Sequence, residues 1–466
     1  METDGSSLVL GIDVGTSSVK AVLLDAASGD VVHNQSRDTR AEVQSECGPQ
    51  GKEQEVVQII RALNDCVSSL PMESLKKVMR IGVSGQMHGV MFWKTNQGCH
   101  WINSGNLRVF EPRDTSYLIT WEDGRCTMDF LASLPQPQSH LSLATGFGCA
   151  TIFWYLRNRP DFLDSYDAAG TIQDYVVAML CGLQRPQMSV HNAASWGYFN
   201  TRSKKWNIDI LRGSGFPVFL LPDVVNAGCI AGKASYEWCG IRQGTEVGVA
   251  LGDFQCSVYS SSTESTDAVL NISTSAQLTF SMPEGFQPED SPDPAEPVAY
   301  FPYFSDHYLA VAASLNGGNV LASFITMLSD WIAELGLDIP VSTLYTRVIT
   351  AGLSQHETHL TIHPTLFGER HIPDMLASVS NITAAGLSLG HVTRALCQGI
   401  VQNLHSMLPS SRLQQSGVKR LIGSGSALSR NEVLRQEVEK IFPFSIVYGK
   451  DTDSALGAAM AMVKQW

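Results

Sequence analysis

The chain has 466 residues, more than one ordinary hydrophobic core accommodates, so two domains are expected. Hydrophobic residues make up 44% and charged residues 17%, the balance of a well-buried globular protein and not of a disordered one. The net charge of −13, with no basic run, excludes a nucleic-acid or anionic-membrane binder that relies on a basic face. Anionic nucleotides remain possible ligands, because backbone N–H groups and a bound cation hold phosphates without net positive charge. Met1 to Ser7 is acidic and lacks the basic segment and apolar run of a signal peptide. No apolar stretch reaches the length of a membrane span. Ten cysteines, from Cys47 to Cys397, contain no C-x-x-C pair, so neither a zinc ribbon nor a disulfide framework is indicated. A reducing cytoplasmic location is expected.

The first element in chain order is a β-hairpin. Leu8–Asp13 and Val19–Leu24 are apolar runs, joined by the small, turn-rich Val14–Ser18. A third strand-like run follows, then an amphipathic helix within Lys52–Leu70, with Val56, Ile59, Ile60, Leu63, Cys66, Val67 and Leu70 on one face. Strand Val78–Val83 comes next, then helical pieces at Tyr155–Arg157 and Asp174–Leu180. Strand Val247–Leu251 leads into a helix at Phe254–Tyr259.

The opening plan then repeats. Ala268–Ser273, Thr274–Ser275 and Ala276–Phe280 form a second hairpin, followed by a further strand and a helix over Asn319–Gly336. Its stripe is Val320, Phe324, Leu328, Trp331 and Leu335. Strand His359–Ile362, helix His391–Leu408, strand Arg420–Gly423, helix Asn431–Ile441, strand Phe444–Val447 and a closing helix from Ser454 complete the chain. This order, met twice, predicts an α/β protein of two related domains, residues 1–248 and 249–466, facing each other across a cleft.

The first hairpin reads Gly11-Ile-Asp13-Val-Gly15-Thr16-Ser17-Ser18-Val-Lys20. A tip of glycine and small hydroxyl residues lets the backbone approach a phosphate and offers N–H and O–H donors. Asp13 stands where a carboxylate holds hydrated Mg²⁺ beside the phosphates. The alternative is a tight turn whose polar groups satisfy its own backbone. The matching Ser273-Thr274-Ser275 tip favours the phosphate reading, because a polyphosphate is gripped from both sides of a cleft. No G-x-x-x-x-G-K-[ST] loop and no H-R-D or D-F-G set is present.

Asp253, after Gly252 at the end of a strand, is placed as general base for a hydroxyl nucleophile and as a second metal-side carboxylate, or serves as an ordinary helix N-cap. Gly423-Ser424-Gly425-Ser426, up to Asn431, and Gly317-Gly318-Asn319 each open a helix. They either receive the nucleotide or merely connect elements. Ser84-Gly85-Gln86-Met87-His88-Gly89 ends a strand with groups that donate and accept, which suits a row of sugar hydroxyls. The competing role for His88 is structural. Trp121-Glu122-Asp123-Gly124-Arg125 places an indole against a sugar's C–H face and a carboxylate on its hydroxyls, or buries a Trp beside an Asp–Arg pair.

Taken together, and in this order, these motifs resemble the FGGY family of carbohydrate kinases nearly end to end. The resemblance implies two ribonuclease-H-like (actin-like ATPase) domains, ATP with Mg²⁺, and γ-phosphoryl transfer to a terminal hydroxyl. By motif position it implies Asp253 as catalytic base and Asp13 as the metal-side carboxylate. It implies sugar contacts at Met87 and His88, to which the reading of the residues adds Gln86, Trp121 and Asp123. It places Thr16 and Ser17 in the first phosphate hairpin and Thr274 and Ser275 in the second; the residues themselves add nucleotide contacts at Gly15, Ser18 and Lys20, at Ser273, at Gly317 and Gly318, and at Gly423, Ser424, Gly425, Ser426 and Asn431. The wording of 147–154, 192–199 and 314–319 is most similar to the branch acting on sedoheptulose. D-xylulose or another polyol is the alternative acceptor, and an actin- or Hsp70-like ATPase without a sugar is the alternative of another class. Two departures stand out: Ser273 and Ser424 occupy places where glycine is common in the family, and both bear on nucleotide affinity.

Overall fold

A computed structural model describes residues 7–262, 264–293, 295–372, 374–449 and 452–464. Most of the acidic N-terminus invoked above lies outside them.

Two sheets carry the architecture. The first is seven-stranded, in the order Ile230–Lys233, Glu246–Gly248, Val78–Gly85, Leu8–Val14, Ser18–Asp25 and Val31–Asp38, with the short Leu251–Gly252 also paired to Val78–Gly85. The second is six-stranded, in the order Val298–Pro302, Tyr308–Ser314, Ala276–Ser281, Asp267–Ile272, Arg420–Ser424 and Ser445–Tyr448. In each, an antiparallel hairpin is extended by strands parallel to its first arm. The repeat read from the sequence is therefore a repeat of topology. Asp13 lies opposite Ser84, and Asn271 lies opposite Ser424.

The first long helix runs Val56–Ser68 and buries the expected stripe. It starts later than the periodicity suggests because Glu53–Gln54 is a strand, paired with Leu118–Ile119 and Glu42–Val43. Helix Gly318–Glu334 buries Val320, Leu321 and Ile325, whereas Trp331 and Leu335 of the expected stripe stay exposed. Helix Gly148–Asn158 and helix Ile172–Cys181 are longer than their sequence signals, and the second opens with a Thr171–Asp174 capping box.

The expected division at 248/249 does not follow the packing. Leu251–Gly252 belongs to the first sheet, and the closing helix Ser454–Val463 packs on that sheet too. The physical reason is a seat made of glycine. Gly11 and Gly82 face each other in register, and a Cβ on Gly11 would lie 1.9 Å from the Ala455 carbonyl oxygen. One on Gly82 would lie 2.2 Å from the Ala458 oxygen. Gly457 gives the reciprocal approach to Cys256, at 1.9 Å from its carbonyl. With alanines at 455, 458, 459 and 461, the helix lies almost on the backbone of the sheet. No helix among the described residues is long and apolar enough to cross a membrane.

Candidate active site

Three neighbouring strands of the first sheet end together, which brings Asp13, Ser84–Gly85 and Gly252 into one line, with Asp253 next. Residues that follow the carboxyl ends of parallel strands meet at the mouth of such a sheet. The Ser84 hydroxyl lies 3.2 Å from Asp13 Oδ1 and 3.2 Å from the Ser454 carbonyl oxygen, so the closing helix begins at the same spot. Asp453 caps that helix, its carboxylate accepting from the Ala455 and Leu456 N–H groups.

Asp253 is not the N-cap of its helix. Gly252 holds that place and Asp253 is the first helical residue, its Oδ1 accepting from the Phe254 N–H at 2.7 Å. Burial pushes the Asp253 carboxyl up to about 7, the Asp13 charge adds to that, and the N–H groups of Phe254 and of Asp253 itself pull it back. Burial likewise pushes Asp13 up to about 6; Lys20, its cross-strand partner, and the Ser84 hydroxyl act against this, and Asp453 reinforces it. Two crowded carboxylates of this kind are short of positive charge. Hard oxygen donors with little other ligation suit Mg²⁺, which keeps its waters and shares carboxylates with phosphate. No all-protein metal cage exists among the described residues. Beside Asp253 opens a cavity of about 200 Å³, lined also by Ser257, Asn271, Gln277, Thr452 and Ser454.

The hairpin tips are residues 15–17 and 273–275. Gly15 N–H donates to the Ser18 carbonyl at 3.0 Å, and Ser273 N–H to the Ser275 carbonyl at 2.9 Å. Ser17 and Thr274 are exposed at the two crests. Gly317 and Gly318 support the second tip: Gly318 N–H donates to the Ser273 carbonyl at 2.7 Å, and a Cβ on Gly317 would lie 2.5 Å from the Ser275 carbonyl carbon. That N–H is thereby taken by the tip. The Gly423–Ser426 turn closes on the same tip from the other side. Gly425 has φ +100°, and a Cβ there would meet the Ile272 oxygen at 2.4 Å, while Ser426 N–H donates to Ser273 Oγ at 3.3 Å. The serine at 273 thus ties tip to turn, which glycine cannot do. Ser424 is buried with its hydroxyl unpartnered. Asn431 is a correction: it is buried, caps helix Glu432–Ile441 through the Leu434 N–H, and donates to Cys397 Sγ, so it does not face a ligand.

In the 84–89 motif, Met87 sits against Gly252, its sulfur 2.8 Å from where a Cβ on that glycine would be. His88 has φ +73°, stacks on Phe147 with centroids 4.7 Å apart, and has Nδ1 3.0 Å from the Ser195 carbonyl. A carbonyl only accepts, so Nδ1 carries the proton and Nε2 is a bare acceptor. Burial pushes the His88 imidazole down to about 4, with the Arg370 charge acting in the same direction. Gln86 is almost enclosed and spends its amide on Thr16 and Gln54. Trp121 is half-exposed and its Nε1–H donates to Thr16 Oγ1 at 3.0 Å.

Asp123 is a second correction. It is fully buried, and its oxygens accept from the Lys52 and Arg125 N–H groups and from the Arg125 guanidinium, which also pairs with Glu53. A carboxylate so occupied has no lone pair to give a sugar hydroxyl.

Sequence reasoning missed Asn271, Gln54 and Asp453. Laying the two hairpins over one another would have found Asn271, since it takes the place of Asp13.

Two topologically matched sheets, a strand-end carboxylate beside a cavity, and paired small-residue hairpins define the actin-like ATPase fold. Known proteins agree. Residues 8–259 match the N-terminal domain of the FGGY family of carbohydrate kinases. The chain is 62% identical to sedoheptulokinase of Homo sapiens over 98% of each chain. It is 26% identical to xylulose kinase of Escherichia coli, over 97% of this chain and 89% of that one. Among solved structures, xylulose kinase from Rhodospirillum rubrum superimposes with a TM-score of 0.79 at 17% identity, covering 97% and 89% of the two chains. Plasmodium falciparum glycerol kinase with ADP gives 0.77 at 18% identity, covering 98% and 89%. The chain belongs to the FGGY family of carbohydrate kinases.

Proposed function

We propose that the chain transfers the γ-phosphoryl group of ATP to the terminal hydroxyl of sedoheptulose, giving sedoheptulose 7-phosphate and ADP. The observation that carries the chemistry is Asp253, a strand-end carboxylate pushed up to about 7 by burial and by the neighbouring Asp13 charge. A base with that affinity takes the hydroxyl proton as the oxygen attacks, at a pH near neutrality. The choice of sugar is supported by the 62% identity to human sedoheptulokinase over nearly the whole chain.

In this reading Asp13, with Asp253 beside it, would hold Mg²⁺, which would supply positive charge against the transferring phosphate. The tips at 15–18 and 273–275 hold the phosphates, with Lys20 near the first, Gly317–Gly318 behind the second, and the Gly423–Ser426 turn toward the adenine. His88, through Nε2, accepts a hydroxyl proton from the sugar in a hydrogen bond, and Met87 and Trp121 supply apolar contact. Gln86 and Asp123 act behind them as supports. We infer that the two domains close over the substrates and that closure excludes water. A cytoplasmic location is supported by ten cysteines that are all free thiols.

The test is a panel of free sugars with ADP release as readout. Sedoheptulose is expected to give the highest kcat/KM. A preference for D-xylulose overturns the sugar assignment, and ATP hydrolysis indifferent to every polyol overturns the reaction.

A further inference from the structure

Gln54 lies in none of the motifs, is almost fully buried, and is bonded at both ends of its amide to residues that are. Its Nε2 donates to the Thr16 carbonyl at 2.7 Å, which Thr39 Oγ1 also reaches at 3.1 Å. Its Oε1 accepts from Gln86 Nε2 at 3.0 Å, and Gln86 Oε1 faces Thr16 Oγ1 at 3.5 Å. The ring closes on Thr16 itself, and Trp121 Nε1–H enters it at the Thr16 hydroxyl. The direction of every bond is fixed. An indole N–H only donates and a carbonyl only accepts, so both amides have one permitted orientation and the Thr16 proton points at Gln86.

We propose that Gln54 is a positioning residue that couples nucleotide binding to sugar binding, by holding the tip of the first hairpin and the 84–89 motif in one hydrogen-bonded ring. The inference rests on the reading above, in which Thr16 meets a phosphate and Trp121 meets the sugar. The longest link, between Thr16 and Gln86, is the one a phosphate oxygen replaces when it takes the hydroxyl proton. A sugar lying on the indole fixes the other side of the same hydroxyl. Each ligand therefore finds Thr16 already ordered by the other, and the two bind more tightly together than apart.

The experiment is calorimetry on the full chain. A non-hydrolysable ATP analogue is titrated with and without sedoheptulose, and sedoheptulose with and without the analogue. In the wild type each ligand is expected to tighten the other on the order of 10-fold, within the usual range of such couplings. Gln54→Met keeps the shape but neither polar end, and the coupling is expected to fall to within about twofold of none. Gln54→Glu retains the acceptor for Gln86 but has no donor for Thr16, and is expected to behave alike. Trp121→Phe, at a half-exposed position that does not threaten folding, keeps a ring face for the sugar and loses only the N–H. Its coupling, read as the ratio of sugar affinities with and without the analogue, is expected to fall to within about twofold of none whatever its sugar affinity alone, and it carries the test should the buried variants not fold. Undiminished coupling in a folded Gln54→Met overturns the proposal, as does undiminished coupling in Trp121→Phe or a wild type with no coupling. Because binding is read, not turnover, a wild type that binds sedoheptulose without phosphorylating it overturns the proposed reaction and leaves the ring standing. One that binds neither sedoheptulose nor D-xylulose overturns both.

Discussion

Asn271 occupies in the second hairpin the place that Asp13 occupies in the first, each lying opposite a serine in the next parallel strand, Ser424 and Ser84. The cleft therefore has a carboxylate on one wall and a neutral amide on the other. An amide donates to phosphate oxygens, whereas a second carboxylate repels them. Asn271→Asp is accordingly expected to weaken ATP binding by about 10-fold, a loss of ~1.4 kcal/mol, and, by adding a carboxylate, to lower the Mg²⁺ needed for half-maximal rate. Calorimetry with ATP and a Mg²⁺ titration of rate check this; unchanged affinity would remove Asn271 from the phosphate path.

Asp253→Asn preserves an acceptor for the Phe254 N–H but cannot take a proton. Turnover is expected to fall by about 10²–10⁴-fold, as loss of a general base does. Steady-state kinetics give the rate, and a melt of the same sample shows whether folding is intact. In the wild type, kcat/KM is expected to rise with pH through about 7 as the carboxyl ionises.

The same pair of proteins gives a stability test with a definite sign. Asp253 binds its proton more tightly folded than unfolded, so it favours the fold below pH 3.8 and progressively opposes it as pH rises to about 7. Asparagine carries no such penalty. The melting temperature of Asp253→Asn relative to wild type is therefore expected to climb between pH 5 and 8 in ligand-free protein. A difference flat in pH would contradict the partly buried, crowded carboxylate.

Asp13→Ala removes the carboxylate facing Ser84 and Lys20. The Mg²⁺ concentration for half-maximal rate is expected to rise on the order of 10-fold, with sedoheptulose binding in the absence of nucleotide little altered. An unchanged metal dependence would take Asp13 out of that role.

Gly11→Ala pushes a methyl into the Ala455 carbonyl, which stands 1.9 Å from where it would go. Overpacking of this kind costs about 1–3 kcal/mol. The urea midpoint is expected to drop accordingly, with activity per folded molecule also reduced because Ser454 and Asp453 shift beside Asp13.

What the sequence disclosed was what repeats locally. The hairpins, the Val56–Ser68 stripe and the strand-to-helix junction at Asp253 each announce themselves within a dozen residues, through period or turn chemistry. What it hid depends on partners far along the chain. Asp123 reads as an available carboxylate until Lys52 and Glu53 are brought beside it and Arg125. Gln54 reads as part of a helix until its bonds to Thr16 and Gln86 are seen. Asn431 looks like the end of a nucleotide loop and is a cap. Gly11 reads as part of a phosphate motif, although its missing side chain is required by a helix more than 400 residues later.

That last helix changes how the halves are joined. The chain leaves the first sheet after Gly252, runs through helix Asp253–Ser261 to build the second, and returns after Tyr448 to lay Ser454–Val463 back on the first. The halves are thus tethered at two places, and two tethers define an axis as two pins define the swing of a door. Asp453 and Ser454 stand at the return crossing, and Asp253 heads the helix that leads to the outward one. Asp13 and Asp253 both stand at strand ends of the first sheet, so one half carries the pair and sets its geometry by itself.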